Sequence, residues 1–297
     1  MPDNKDLAAL ISMLDEPDEK TFGHIRSNIV GLGEVALPLL EEAWGNNFDN
    51  LVQARIESII HHIQLDKVHH DLAAWRSKGS FRLLEGVIGV TSYQYPGLQL
   101  EQLAGRVEEI RKNIWLELNS NLTALEKVKV MNHILYGLMK LRLAKNNPQP
   151  PSAHFLNNLL QTRKGTLMSL AILYLCLAQS LDLPVYGIDI PNYFVLAYVD
   201  ELHNEHLVSG NDQEVLFYIN PGNQGAVFTH KEIESYLKYL KMKPDRHYFL
   251  PCSNLDILKK YITGLALSYE KTGQPEKAAE VKGLLEELGE EGSAGKV

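Results

Sequence analysis

Apolar residues in this chain recur first at helical spacing, then at strand spacing, then at helical spacing again. Leu7, Leu10, Ile11 and Leu14 share one helical face, and Asp15-Glu16-Pro17-Asp18 stops that pattern and opens the next. Phe22, Ile25, Ile29 and Val30 form a second stripe, closed by Gly31 and Gly33. VALPLLEEAW, an Asn/Asp loop at 46–50 and LVQARIESIIHHI continue as paired helices. Trp75, Phe81, Leu83 and Leu84 introduce a further helical stretch, and 97–118 and 124–141 read as long amphipathic helices. In NNPQPPS, at 146–152, closely spaced prolines forbid helix continuation. HFLNNLLQTRKG then leads into the apolar helix TLMSLAILYLCLAQSL. After Asp182 the period changes: VYGIDI, YFVLAYV and VLFYI are β-branched and aromatic runs of strand length, separated by Pro191-Asn192 and a polar loop at 200–213. Three strands with no helix between them predict an antiparallel sheet, hence an α+β chain. Residues 251–289 return to helix as a hairpin, and the closing GEEGSAGKV reads as a frayed tail.

Composition narrows the function classes. At 297 residues the chain has length for roughly two domains, and 45% apolar against 22% charged residues suits a buried core. A net charge of −8 argues against nucleic acid as a partner. The short basic clusters, Arg163-Lys164 and 238–243, read as solvated faces. Cys176 and Cys252 give neither a disulfide framework nor a zinc spacing, which suits a reducing, cytoplasmic compartment. The start, MPDNKDLAAL, lacks the apolar stretch of a signal peptide, and the apolar run at 167–178 is short of the roughly 20 residues that span a bilayer, so no membrane association is expected. His61-His62 and His69-His70 are adjacent pairs whose members point about 100° apart on a helix, and they read as surface or interface residues. His203 and His206 could chelate only if their acidic loop were helical, and a polar loop is the simpler reading. The Gly31–Gly33 stretch follows no strand and makes no phosphate loop. No metal and no cofactor are expected.

The segment 164–199 carries the sharpest signal. KGTLMSL, an apolar helix, LDLP, a strand, PNYF and a second strand follow one another in that order. This resembles the SirB type of transglutaminase-like core, whose pattern runs K/R-G-x-P-I-S-L, helix, L-G-L-P, strand, P-G-H-F, strand. SFRLLEGVI (80–88), LAGRVEEI, MNHILYGL (131–138) and YINPGNQG (218–225) extend the resemblance over about 73–240. It implies a helix-rich transglutaminase/papain-like core with a small antiparallel sheet. In catalytic members of such cores a Cys stands two residues after a Gly at the start of the buried helix, where the helix N-terminus and a His favour thiolate. Here that position is Leu167, and Ala171 fits the small residue one turn later. The general base maps onto Tyr193 in PNYF, a poor base at neutral pH, and the orienting acid onto Asn220 in YINPG. All three catalytic positions therefore hold residues that cannot run triad chemistry.

The flanks resemble repeat units. The paired helices of 1–72 resemble HEAT-type repeats, and Ile262, Leu265, Ala266, Tyr269, Gly273 and Ala278 match tetratricopeptide spacing in the C-terminal segment, 241–297. One such repeat must pack on the core, 73–240, or on a partner. The reading is a non-enzymatic, cytoplasmic interaction or scaffold protein with protein partners. Leu167, Ser169, Tyr193 and Asn220 form the surface of the vestigial cleft. Two alternatives stay open: acyl-transfer or amidohydrolase chemistry with a relocated nucleophile, Ser169 or Cys252, and small-molecule binding in the altered cleft. Ser169 reads more simply as a capping or packing hydroxyl, and Cys176 as a core thiol.

Overall fold

The structure, a computed structural model, describes residues 4–200 and 215–289. The histidines at 203 and 206 and the closing tail after Gly289 lie outside the described residues. Helices α1 (Asn4–Ser12), α2 (Glu19–Val30) and α3 (Leu37–Asn46) pack on the first half of α4 (Asn50–Ser77) and bury their stripes in one apolar cluster that includes Leu14, Ile29, Leu40 and Ile56. Asp18 and Asp49 cap α2 and α4 by accepting backbone N–H groups of the first turn. Arg55 lies buried in this cluster and is fully engaged. Its guanidinium donates to the Leu14 and Glu16 carbonyls at 2.9 and 2.7 Å, pairs with Glu19 at 2.9 Å, and stacks over Phe22.

Helix α4 has 28 residues, a rod of about 42 Å. Val52, Ile56 and Ile59 serve the N-terminal cluster, whereas Val68, Leu72 and Trp75 belong to the main core. The chain therefore runs through residues 72 and 73 without a break in helix.

The main core is built around α9 (Leu167–Ser180). Residues 169–178 of this helix are all buried, which explains its nearly unbroken apolar sequence. Around it stand α5 (Leu83–Gln94), α6 (Leu100–Glu117), α7 (Ala124–Asn132) and α8 (Leu156–Thr162). The predicted helix at 124–141 is α-helical only to Asn132 and continues as a π-helical segment over 133–138, with Met139 N–H bonded to the Ile134 carbonyl. Strands β1 (Arg142–Leu143) and β2 (Lys164–Gly165) form a two-residue parallel ladder.

The sheet is antiparallel, in the order β3 (Val185–Ile190), β4 (Tyr193–Val199), β5 (Val215–Asn220) and β6 (Ala226–Phe228). The three predicted strands are present, and β6 adds a fourth. Alternation along β4 shows why its sequence is apolar throughout. Phe194, Leu196 and Tyr198 join the α9 core, whereas Val195 and Ala197 face a second cluster with Ile233, Leu237 and Phe249. That cluster is closed by α10 (His230–Tyr239), which opens with a Thr229/Glu232 capping box. The arrangement is an α+β fold: a helix-rich core with a small antiparallel sheet.

Helices α11 (Asn254–Lys271) and α12 (Pro275–Glu287) form the C-terminal hairpin, turning at Gly273 with φ +76°. Tyr261, Ile262, Leu265, Tyr269, Ala278 and Val281 are buried in the main core, so the inner faces of the hairpin are spent on the core itself. Histidines fasten it to α4. His61 and His69 reach Glu280 and Glu287 at 2.9 and 3.1 Å, and Tyr93 donates to the other Glu280 oxygen at 2.7 Å. Burial pushes the Glu280 carboxyl up, yet these hydrogen bonds outweigh it and hold the group below its ordinary value. His62 and His70 instead turn back to the Ser58 and Asp66 carbonyls of their own helix.

Candidate functional site

Thr166 caps α9: its hydroxyl accepts the Ser169 N–H at 3.1 Å, which leaves Leu167 as the first helical residue. Before it, Gly165 is held where no side chain fits. A β-carbon there would stand 2.3 Å from Ser169 Oγ and 2.9 Å from Leu159 Cδ1. Gly165→Ala is expected to cost about 1–3 kcal/mol through overpacking, measurable as a lower midpoint in urea denaturation.

Tyr193 opens β4 after Asn192, whose φ of 60° makes the tight turn from β3. Asn220 closes β5 and caps the 3-10 turn at Pro221–Asn223. Its Oδ1 accepts the Gly222 and Asn223 N–H groups at 3.0 and 3.1 Å and the Tyr193 hydroxyl at 3.1 Å. Gly222 is the meeting point. A β-carbon built on it would lie 3.0 Å from Leu167 Cδ1, 3.1 Å from Tyr193 Oη and 3.4 Å from Asn220 Oδ1. The start of α9, the start of β4 and the end of β5 thus bring Leu167, Tyr193 and Asn220 round one point, and the backbone of the turn fills the space between them.

On the other side of Tyr193 the molecule is open. A cleft of about 420 Å³ lies between the sheet and α10, lined by Tyr193, Asn220, Asn223, Phe228, Glu232 and Tyr236 among others. Leu167 does not line it. Ser169 is not part of this surface either. It is fully buried, and its hydroxyl lies 3.1 Å from both the Ala153 and the Thr166 carbonyl, which share its one proton. It is a packing hydroxyl at the base of α9.

Neither thiol is poised to react. Burial raises the Cys176 thiol far above its ordinary range within α9. Burial, with help from the Asp189 charge, pushes Cys252 up to about 12. Among the described residues no group of three or more His, Cys, Asp and Glu side chains could hold a metal ion.

Asn132 and Gly225 contribute to the site without any local sequence signal of their own. Asn132 Nδ2 donates to the Gly225 carbonyl at 2.8 Å, and Gly225, with φ +72°, has no room for a β-carbon against that amide. The segments MNHILYGL and YINPGNQG are therefore docked on each other, and Asn132 braces the turn that carries Asn220. Their place in one motif order was the available signal.

The family model described as transglutaminase-like superfamily matches residues 98–263, more than half of the chain. This chain belongs to the transglutaminase-like superfamily. The matched span contains KGTLMSL, PNYF and YINPG, and so all three positions that surround Gly222. Searches of curated proteins and of solved structures returned no match. No helix among the described residues is long and apolar enough to cross a membrane.

Proposed function

We propose that this chain is a non-enzymatic, SirB-type member of the transglutaminase-like superfamily that works in the cytoplasm as an interaction or scaffold protein. The observation that carries the reading is the convergence of Leu167, Tyr193 and Asn220 on Gly222. The frame of a triad is kept, without a nucleophile or a base. The proposed interaction surface is the HEAT-like N-terminal segment, since the tetratricopeptide-like hairpin spends its inner faces on the core. Trp44, Phe48 and Leu51 are exposed there, Phe48 at 93%, around the junction of α3 and α4. Exposed large apolar side chains gathered at one place mark contact surfaces.

Capture of protein partners by the tagged full chain tests this reading. Phe48→Asp with Leu51→Asp should abolish capture of a partner that the parent retains, with an unchanged melting temperature. Capture unchanged by that pair would remove the N-terminal surface, and the absence of any captured partner would refute the interaction role.

The open cleft beside Tyr193 favours a second reading, binding of a small molecule with an apolar body and a hydrogen-bonding end. A volume of about 420 Å³ lies within the usual range of ligand sites. A stabilising hit from a metabolite panel in a thermal-shift assay should vanish in Tyr193→Ala. A panel without hits, or a shift that persists in that variant, would count against the cleft.

A further inference from the structure

From residue 127 to residue 181 the chain contains no Asp or Glu, yet it carries Lys127, Lys129, Lys140, Arg142, Lys145, Arg163 and Lys164. With the whole chain at −8, these seven cations leave −15 for all the rest. The fold concentrates five of them. The β1–β2 ladder places Arg142 opposite Lys164, the Arg142 N–H bonds to the Arg163 carbonyl at 2.9 Å, and Lys145 stands two residues beyond the end of β1. Lys140 and Arg163 are held at φ 60° and 63° where the π-helical segment and α8 give way to the two strands. All five are exposed.

Many cations elsewhere are neutralised internally: Arg55 by Glu19, Lys67 by Glu34, Arg111 by Glu108, Lys282 by Glu270. Among the described residues none of these five has a carboxylate within ion-pair reach. Two cations at partnered positions repel each other, so the Arg142/Lys164 pairing adds nothing favourable to the fold alone. Arg142 is also positioned, its guanidinium donating to the Leu141 carbonyl at 3.1 Å. The ridge borders the vestigial site: Lys164 stands three residues before Leu167, and β1 touches the 221–223 turn.

We infer that the β1–β2 ridge of Lys140, Arg142, Lys145, Arg163 and Lys164 docks an acidic segment of a partner protein. The inference rests on the interaction role proposed above and gives that role a chemistry. A duplex, with one charge per ~1.7 Å of its axis, would run off two short strands onto a surface carrying the opposite balance. A short acidic peptide ends where the ridge ends. Leu143, 39% exposed within the ridge, offers the apolar contact that a protein segment uses and a phosphate chain does not.

The test is fluorescence anisotropy on the full chain with a labelled polyglutamate peptide of about eight residues, a matched polyglutamine peptide and a single-stranded oligonucleotide. The polyglutamate should bind, and more weakly as salt rises from about 50 to about 200 mM. The polyglutamine should not bind. Arg163→Glu with Lys164→Glu should weaken binding at least about tenfold, whereas Lys20→Glu with Lys271→Glu, remote in sequence, should not. Lys164→Glu should also raise the melting temperature by relieving the repulsion from Arg142, so that lost binding cannot be lost folding. No polyglutamate binding, equal loss in the control pair, or tighter binding of the oligonucleotide would overturn the inference. Failure here with Phe48-dependent capture intact would remove the ridge and leave the interaction role standing; the reverse pattern would remove the N-terminal surface and leave the ridge.

Discussion

Leu167→Cys combined with Tyr193→His should create a thiol that iodoacetamide modifies at neutral pH at least about a hundredfold faster than Cys252 in the parent chain. Leu167 is the first residue of α9, where unpaired N–H groups favour thiolate. Shortening it also frees the space its Cδ1 occupies beside Gly222. An imidazole at 193, shorter than the phenol, would point toward Asn220 Oδ1, which now accepts from the Tyr193 hydroxyl and would accept a ring N–H on a small approach of the two strands. Cys252, pushed up to about 12, is almost wholly protonated at pH 7 and supplies the slow internal reference. Rates from intact mass decide the matter. The double variant should also exceed Leu167→Cys alone. A thiol no faster than Cys252 would mean that the three positions do not share a catalytic frame.

Acidification should weaken the fold through His154. Its ring is buried beside Tyr261, its Nδ1 has no hydrogen-bond partner among the described residues, and burial lowers its pKa from 6.5 to about 4. Between those two values the unfolded chain takes up a proton that the folded chain refuses. Stability contributed by the neutral ring is thus complete above pH 6.5, falls as pH drops toward 4, and levels off below that. The full loss is about 3 kcal/mol, most of it reached by about pH 4.5. Urea midpoints at pH 7 and 4.5 measure it. His154→Gln should flatten the dependence, and an equal slope in parent and variant would assign the acid sensitivity to other groups.

Much of the fold could be read from periodicity, because most elements bury one face or every face. α9 reads as a core helix since 169–178 are buried all round, and β4 reads as a strand since clusters cover both of its sides. The two-residue strands β1 and β2 and the three-residue β6 have too few positions to show a period, so they were invisible in the sequence. The π-helical turn at 133–138 keeps the apolar pattern of an α-helix and changes only the backbone hydrogen bonds. The candidate site was legible as motif order: Leu167, Tyr193 and Asn220 do meet. Asn132, Gly222 and the inward burial of Ser169 depend on tertiary approach, which spacing along one chain does not encode. Charge segregation about the β1–β2 ladder likewise emerges only when residues 142 and 164 are paired.

The proposal of a non-enzymatic chain holds that the three positions round Gly222 keep a triad's placement without its chemistry. Intact-mass measurement of the folded chain after saturating iodoacetamide and fluorophosphonate tests it most directly. An unmodified mass is expected at pH 7, with Ser169 shielded by Ala153 and Thr166 and both thiols protonated. Rapid, stoichiometric labelling at Ser169, Cys252 or any single residue beside Gly222 would contradict it.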